Sequence, residues 1–175
     1  MNFFLEETSN LNEDILIGYL NGSLSTIETF NDGPYTGNTF EFTKIPNLNN
    51  EPERSIMTAL IRHWTVELNQ LEDFYQDLDN TLNEYCQQHA WSIRDRIANY
   101  TNVKPDDNII QQILETTNFR MVKGHVSGTL QLLLKENYTA YAVTVKGTGW
   151  YEATYKDYFI DCSGTYYYLH FGISD

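Results

Sequence analysis

The chain has 175 residues, 41% of them hydrophobic, and its 24 acidic against 11 basic side chains give a formal net charge of −13. A chain of this length buries enough surface to fold without a metal ion or disulfides, and a field this negative repels nucleic acid and anionic membranes while it attracts basic proteins. Two cysteines, an acid-rich start unlike a signal peptide and the lack of a long apolar run predict a cytoplasmic protein without a membrane span.

Residues 1–48 predict a small β-meander. Residues 15–27 contain two short β-prone runs around Asn21 and Gly22, a dipeptide that tolerates the left-handed backbone angles of a tight hairpin turn. A third run, residues 38–44, alternates phenylalanine with polar side chains after a turn-rich segment. These patterns indicate short antiparallel strands.

Residues 50–118 predict the helical part of the chain. Neither glycine nor proline occurs from 53 to 104, and apolar or aromatic side chains recur there every three or four residues. The resulting stripe comprises Trp64, Leu68, Leu71, Tyr75, Leu78, Leu82, Tyr85 and His89. One helix over this segment would be about 75 Å long, too long for a compact domain of this size, so a break is expected at Thr81 or within 87–90. A short helix should follow Pro105 and end at about Thr116.

Residues 123–173 predict an antiparallel sheet, because the hydrophobic period changes to two and the connections become short. The four expected strands are 125–134, 138–146, 150–160 and 165–172. Strands followed by helices and then by strands predict a single α+β domain over 1–175, with the helices on one face of the sheet.

Alternation divides the last strands into two aromatic faces. The face expected to pack on the helices holds Tyr141, Val143, Val145, Tyr151, Tyr155, Phe159, Tyr167, Leu169 and Phe171. The opposite face holds Ala140, Ala142, Trp150, Thr154, Tyr158, Tyr166, Tyr168 and His170. Because tyrosine and tryptophan dominate binding hot spots, Trp150, Tyr158, Tyr166 and Tyr168 are predicted to anchor a partner protein. The structural alternative is that the N-terminal meander covers this face. Nucleobase stacking is disfavoured, since it requires a positive groove beside the rings.

A row of acids is predicted on the outer side of the long helix. Asp73, Asp77 and Glu84 fall almost opposite the apolar stripe, at rises of roughly 6 and 10 Å, which resemble the spacing of phosphates on a nucleic-acid strand. Glu67 and Glu72 add charge nearby. These five acids are the second set of predicted partner-binding residues, and a plain solvated helix face is the simpler explanation.

The sequence assigns no catalytic residue, metal or cofactor. Cys86 and His89 lie one helical turn apart, but a structural zinc ion needs two further ligands, and activation of a cysteine needs an electropositive setting that this acidic segment lacks. Paired carboxylates such as Asp157 with Asp161 can catalyse only when they face each other across a cleft.

The leading hypothesis is a non-enzymatic, acidic interaction protein that occupies a basic, nucleic-acid-binding surface of a partner enzyme, as anti-defence proteins of phages and mobile elements or toxin-immunity proteins do. It predicts a protein partner, with no direct contact to nucleic acid or membrane. One alternative is a small enzyme or ligand-binding domain with a pocket between helices and sheet that uses His170, Cys86, His89 or a buried carboxylate. Another is a structural subunit that forms a homodimer through its tyrosine face.

Overall fold

The computed structural model describes residues 12–32, 37–60, 64–116, 119–147 and 151–174. Its elements are α1 (Glu13–Asn31), β1 (Gly37–Ile45), α2 (Pro52–Ala59), β2 (Thr65–Gln70), α3 (Phe74–Thr101), α4 (Asp107–Thr116), α5 (Phe119–Leu134), β3 (Thr139–Lys146), β4 (Thr154–Cys162) and β5 (Thr165–Ser174). The strands form one antiparallel sheet in the order β1-β5-β4-β3-β2. The predicted α+β class is confirmed. Within the described ranges, no helix combines the length and apolar character that crossing a bilayer requires.

The main core lies between one face of the sheet and the helices α1, α3 and α5. Each helix contributes buried apolar side chains one turn apart, which is how a helix gathers them on one side. Its fully buried members include Leu20, Leu24, Leu78, Leu82, Val126, Leu130, Phe42, Leu169 and Phe171. These three helices therefore cover one face of the sheet, and α2 and the loops lie on the other face.

The N-terminal meander was a wrong prediction, because residues 13–31 form α1 and, within the described part of residues 1–48, the only strand is 37–45. The amide of Asn21 is not in a turn: its Nδ2 donates to the carbonyl oxygen of Phe42 at 2.9 Å, and its Oδ1 accepts from the Phe42 N–H at 2.8 Å. Burial on one side of the segment outweighs the turn preference of Asn21 and Gly22. The buried side chains are spaced as a helix requires and are Leu16, Leu20, Leu24 and Ile27.

The long helical segment breaks earlier than predicted. It consists of α2, the strand β2 and the unbroken α3, which runs through both expected break points, Thr81 and 87–90. Trp64, Leu68 and Leu71 therefore do not belong to a helical stripe: Trp64 precedes β2, Leu68 lies within it and Leu71 follows it. Their spacing imitated a helix, but the alternation of Val66 and Leu68 matches the pairing of β2 with β3, which tertiary contacts decide.

The C-terminal half contains one further error. The helix after Pro105 is confirmed as α4, whereas the expected strand 125–134 lies within α5, where Val126 and Leu130 are buried one turn apart. The other three strands are confirmed as β3, β4 and β5, with β4 beginning at Thr154.

The two faces of the sheet are also assigned differently from the prediction. Residues directly opposite in register share a face, and Tyr158 pairs with Leu169 while Phe159 pairs with Tyr168. Tyr158 therefore points to the helices, and Phe159 points to the other face. That second face carries a smaller buried cluster made of Ile45, Ile56, Leu60, Trp64, Val66, Val143, Phe159, Tyr166 and Tyr168. The alternation of side chains correctly separated the two faces of each strand. It did not reveal the register between neighbouring strands, which decides which of these faces lie on the same side of the sheet.

Candidate ligand-binding cleft

A cleft with a volume of about 660 Å³ opens on the second face of the sheet, beside α2 and the edge strand β1. Its apolar lining is Ile45, Pro46, Ala59, Leu60, Trp64 and Tyr151, and its polar lining is Thr39, Glu41, Thr43, Lys44, Thr58, Tyr168 and His170. Short α2 covers only part of this face, so the space above β1 and β5 stays open to ligands.

The floor of the cleft rests on a buried carboxylate. The side chain of Asp157 has no solvent exposure, and its Oδ1 lies 2.6 Å from Nδ1 of His170. Its Oδ2 accepts hydrogen bonds from the hydroxyl groups of Tyr151 at 2.7 Å and Tyr168 at 2.6 Å. The β4–β5 register places Asp157 directly opposite His170, with Tyr168 two residues earlier on the same face. Three donors thus compensate a carboxylate that would otherwise be costly to bury.

This network determines which nitrogen of His170 carries the proton. An ionised carboxylate only accepts hydrogen bonds, so Nδ1 donates to Asp157 and the neutral ring keeps a lone pair on Nε2. No described residue donates to or accepts from Nε2, while Tyr151 contacts the Nδ1 side at 3.3 Å. The neutral ring of His170 is therefore held with Nε2 as an acceptor, in the way that a carboxylate orients the histidine of a catalytic triad.

The tyrosine hydroxyls beneath the ring keep their protons. Burial raises the pKa of Tyr168, and the nearby charge of Asp157 raises it further. The pKa of Tyr151 is also raised, first by burial and then by Asp157. Because the raised pKa values keep both phenols neutral, they act as donors to the carboxylate.

A second carboxyl lies beside Nε2. A methyl group at Gly172 would come within 2.5 Å of His170 Nε2 and 3.1 Å of Glu152 Cδ, so glycine is required there by the close approach of both side chains. Burial raises the pKa of Glu152, and its Oε2 is a buried atom without a hydrogen-bond partner among the described residues. Nε2 of His170 and the carboxyl group of Glu152 therefore lie close together at this end of the site.

Trp64 forms a wall of the cleft. Its ring packs edge-on against Tyr151, with centroids 4.9 Å apart. A Cβ at Gly147 would lie 2.1 Å from Cδ1 of Trp64, so this glycine leaves the space that the indole ring occupies. The tryptophan was assigned to a helix by sequence and instead closes the site from the loop before β2.

The predicted row of acids does not lie on one helix. Glu67 lies on β2 and forms an ion pair with Lys146, and Glu72 is exposed in the connection to α3. Asp73 is the N-cap of α3. Of the three acids predicted to form the helical row, Asp73 therefore lies at the start of α3 and not within it, and of the two additional acids Glu67 is neutralised within the chain.

The other two acids do lie on α3. Asp77 accepts from Lys156 Nζ at 3.0 Å and from the hydroxyl of Tyr158 at 2.8 Å, so its charge is matched internally. Glu84 is exposed. Within the proposed row, only Glu84 is presented from α3 without an ion pair to a described residue.

The predicted aromatic anchors are not exposed. Tyr158 is fully buried, and Tyr166 and Tyr168 are only 3% and 5% exposed. The expectation that these three rings form a surface is wrong, since Tyr158 lies under the helices and the other two lie in the cluster under α2. Trp150 lies outside the described residues.

Cys86 and His89 belong to the structural part of α3. His89 is buried, its Nδ1 donates to the Phe30 carbonyl at 2.6 Å, and its ring stacks on Phe30 and Phe119. Burial raises the pKa of the Cys86 thiol and lowers that of His89. Across the described ranges, no three histidine, cysteine or acidic side chains converge in a way that could hold a metal ion.

Sequence reasoning named His170 as a candidate but missed its partners. Asp157 was considered only as one of a pair with Asp161, and Tyr151 was placed on the helix-facing side. The available signal was an acid in the middle of an otherwise buried strand, which requires compensating donors. Comparison of the chain with protein-family models, with curated proteins and with solved structures finds no match.

Proposed function

We propose that the protein is a ligand-binding α+β domain that holds a small organic molecule in the cleft above β1 and β5. The observation that supports this most is the imidazole of His170, oriented by the buried Asp157 at the floor of a cavity of about 660 Å³. Small-molecule sites have volumes of roughly 300–1,000 Å³ and combine apolar walls with a few placed polar groups.

The chemistry of the floor favours a ligand with a hydrogen-bond donor. Nε2 of His170 accepts such a group, while Trp64 and Leu60 provide apolar contact. The same orientation equips His170 to take a proton from a bound ligand, which is the first requirement of general-base catalysis.

Titration of the ¹⁵N-labelled protein with phenol, indole and benzyl alcohol tests the binding function. We expect shifts concentrated in the backbone amides of β1, α2 and β5. Ala59→Trp places an indole in the cleft and should abolish these shifts, whereas Glu84→Gln on the exposed side of α3 should leave them unchanged. Shifts located elsewhere, or unaffected by Ala59→Trp, would contradict the proposal.

The acidic interaction protein is a second proposal, with different support. Glu84 and Trp91 are seven residues apart on α3 and therefore lie on the same side of the helix, and Trp91 is 67% exposed. An exposed acid and an exposed tryptophan on the same side of a helix offer a charge and a hot-spot ring to a basic partner. Capture of a basic protein that weakens at high salt and is lost in Glu84→Gln or Trp91→Ala would support it. Capture unchanged in both variants would oppose it.

A further inference from the structure

The polar groups of the cleft near His170 are mainly hydrogen-bond acceptors, and this bears on the class of ligand that the cleft can bind. Glu41 lies directly opposite His170 in the β1–β5 register and lines the cleft. The carboxylate of Glu41 and, in the neutral ring, Nε2 of His170 are both acceptors. The threonine hydroxyls of the lining can either donate or accept a hydrogen bond. A ligand group with several donors would satisfy more of these atoms than one that only accepts.

The charge at this end of the cleft is negative. Asp157 lies behind the imidazole and Glu41 beside it. Lys44 also lines the cleft, but its Nζ lies 2.8 Å from Oε2 of Glu13 on α1, so its charge is already matched. Among the described lining residues, no other lysine or arginine is present. Within the described lining, the carboxylate of Glu41 has no cationic partner, and its charge attracts a cation.

The remaining walls suit an apolar or aromatic body. Trp64, Tyr151 and Tyr168 present rings, and Ile45 and Leu60 present aliphatic surface. Rings next to carboxylates are the combination that binds organic cations, because the ring face and the carboxylates both attract positive charge.

From these three features we propose that the cleft selects a small molecule in which a primary ammonium group is joined to an aromatic or apolar body. The ammonium N–H groups donate to Glu41 and to Nε2 of His170, and the body lies against Trp64. This inference rests on the proposed ligand-binding function and specifies its ligand class.

The test uses three probes of one shape and different charge: 2-phenylethylamine, 2-phenylethanol and 3-phenylpropanoate. In calorimetric titrations at low salt and about neutral pH, we expect the amine to bind about tenfold more tightly than the alcohol. The phenylpropanoate should bind more weakly than either, since it meets Glu41 and Asp157 with like charge. Glu41→Gln should reduce the affinity for the amine about three- to tenfold and leave that for the alcohol unchanged. Glu84→Gln, an identical charge change outside the cleft, should leave both unchanged.

The outcomes separate this inference from the binding function itself. Equal affinity for amine and alcohol, or tightest binding of the phenylpropanoate, would overturn the selection for ammonium while the cleft would still be a ligand site. Loss of amine affinity to the same extent in Glu84→Gln would assign the effect to the net charge of the protein and would also overturn it. If none of the three probes binds, the ammonium inference fails, and the neutral aromatic titration decides separately on the proposed function.

Discussion

The close approach of His170 to Gly172 shows that the site leaves no room for a side chain at position 172. A Cβ at Gly172 would lie 2.5 Å from Nε2 of His170, which is too close for both to keep their positions. We expect Gly172→Ala to displace the imidazole from Asp157 and to weaken fragment binding at least tenfold, measured by the same NMR titration. Gly128→Ala on α5 is the control, because nothing lies within 4 Å of its Cβ; it should keep binding and stabilise the helix by about 1 kcal/mol. Unimpaired binding by Gly172→Ala would show that the ring is not held as described.

A second residue-scale prediction concerns acid stability. Burial lowers the pKa of His89 below its ordinary value of 6.5, so the native state holds the ring neutral while the unfolded chain gains a proton as the pH falls through that value. The stability from neutral His89 is therefore fully present above about pH 6.5 and is lost as the pH falls below it. Urea denaturation at about pH 7.5 and pH 5.5 should show a smaller loss in His89→Gln than in the wild type. Equal losses would contradict this role for His89.

At the scale of elements, α1 protects the open edge of the sheet. Strand β1 is terminal in the sheet, and side chains of α1 and its C-cap satisfy three of its backbone N–H groups: Asn21 bonds Phe42, Glu28 bonds Phe40 and Asp32 bonds Asn38. Such bonds replace the strand that the edge lacks and prevent pairing with another chain.

Removing this protection should be measurable. Asn21→Leu deletes both bonds to the Phe42 backbone, and we expect a loss of about 2 kcal/mol in the free energy of unfolding together with concentration-dependent association in sedimentation experiments. Thr26→Ala removes only an exposed hydroxyl bond within α1 and serves as the control. An Asn21→Leu variant as stable and monomeric as the Thr26→Ala control would refute the role of the amide.

The same elements show where sequence reasoning succeeds and where it fails. The class and the last three strands followed from hydrophobic period and short connections, and α4 followed from its position after Pro105. Residues 15–27 and 125–134 were assigned to strands because local turn and alternation signals outweighed the buried stripes that form only when the helices pack. Local sequence patterns could not predict the site, because Asp157 and His170 are thirteen residues apart and only the β4–β5 register brings them together.

At the scale of the whole molecule, the charge is only partly balanced. Six lysine and arginine side chains form ion pairs with carboxylates within the described residues, yet the net charge remains −13. Isolated exposed pairs contribute little, whereas the surplus charge repels itself throughout the fold. We expect the melting temperature to rise by about 2 °C or more when sodium chloride is raised from about 20 to 200 mM, because screening weakens that repulsion. A fall in the melting temperature would mean that the ion pairs dominate.

The central claim is that the buried carboxylate of Asp157 fixes His170 as the acceptor in a ligand cleft, and the tautomer of that ring tests it most directly. Long-range ¹H–¹⁵N correlation spectra at alkaline pH, where imidazoles are neutral, distinguish a proton on Nδ1 from one on Nε2. For the wild type we expect the proton on Nδ1, and for Asp157→Asn a shift of population toward Nε2, since an amide can also donate to Nδ1. A wild-type ring protonated on Nε2, or a tautomer ratio unchanged by Asp157→Asn, would contradict the account.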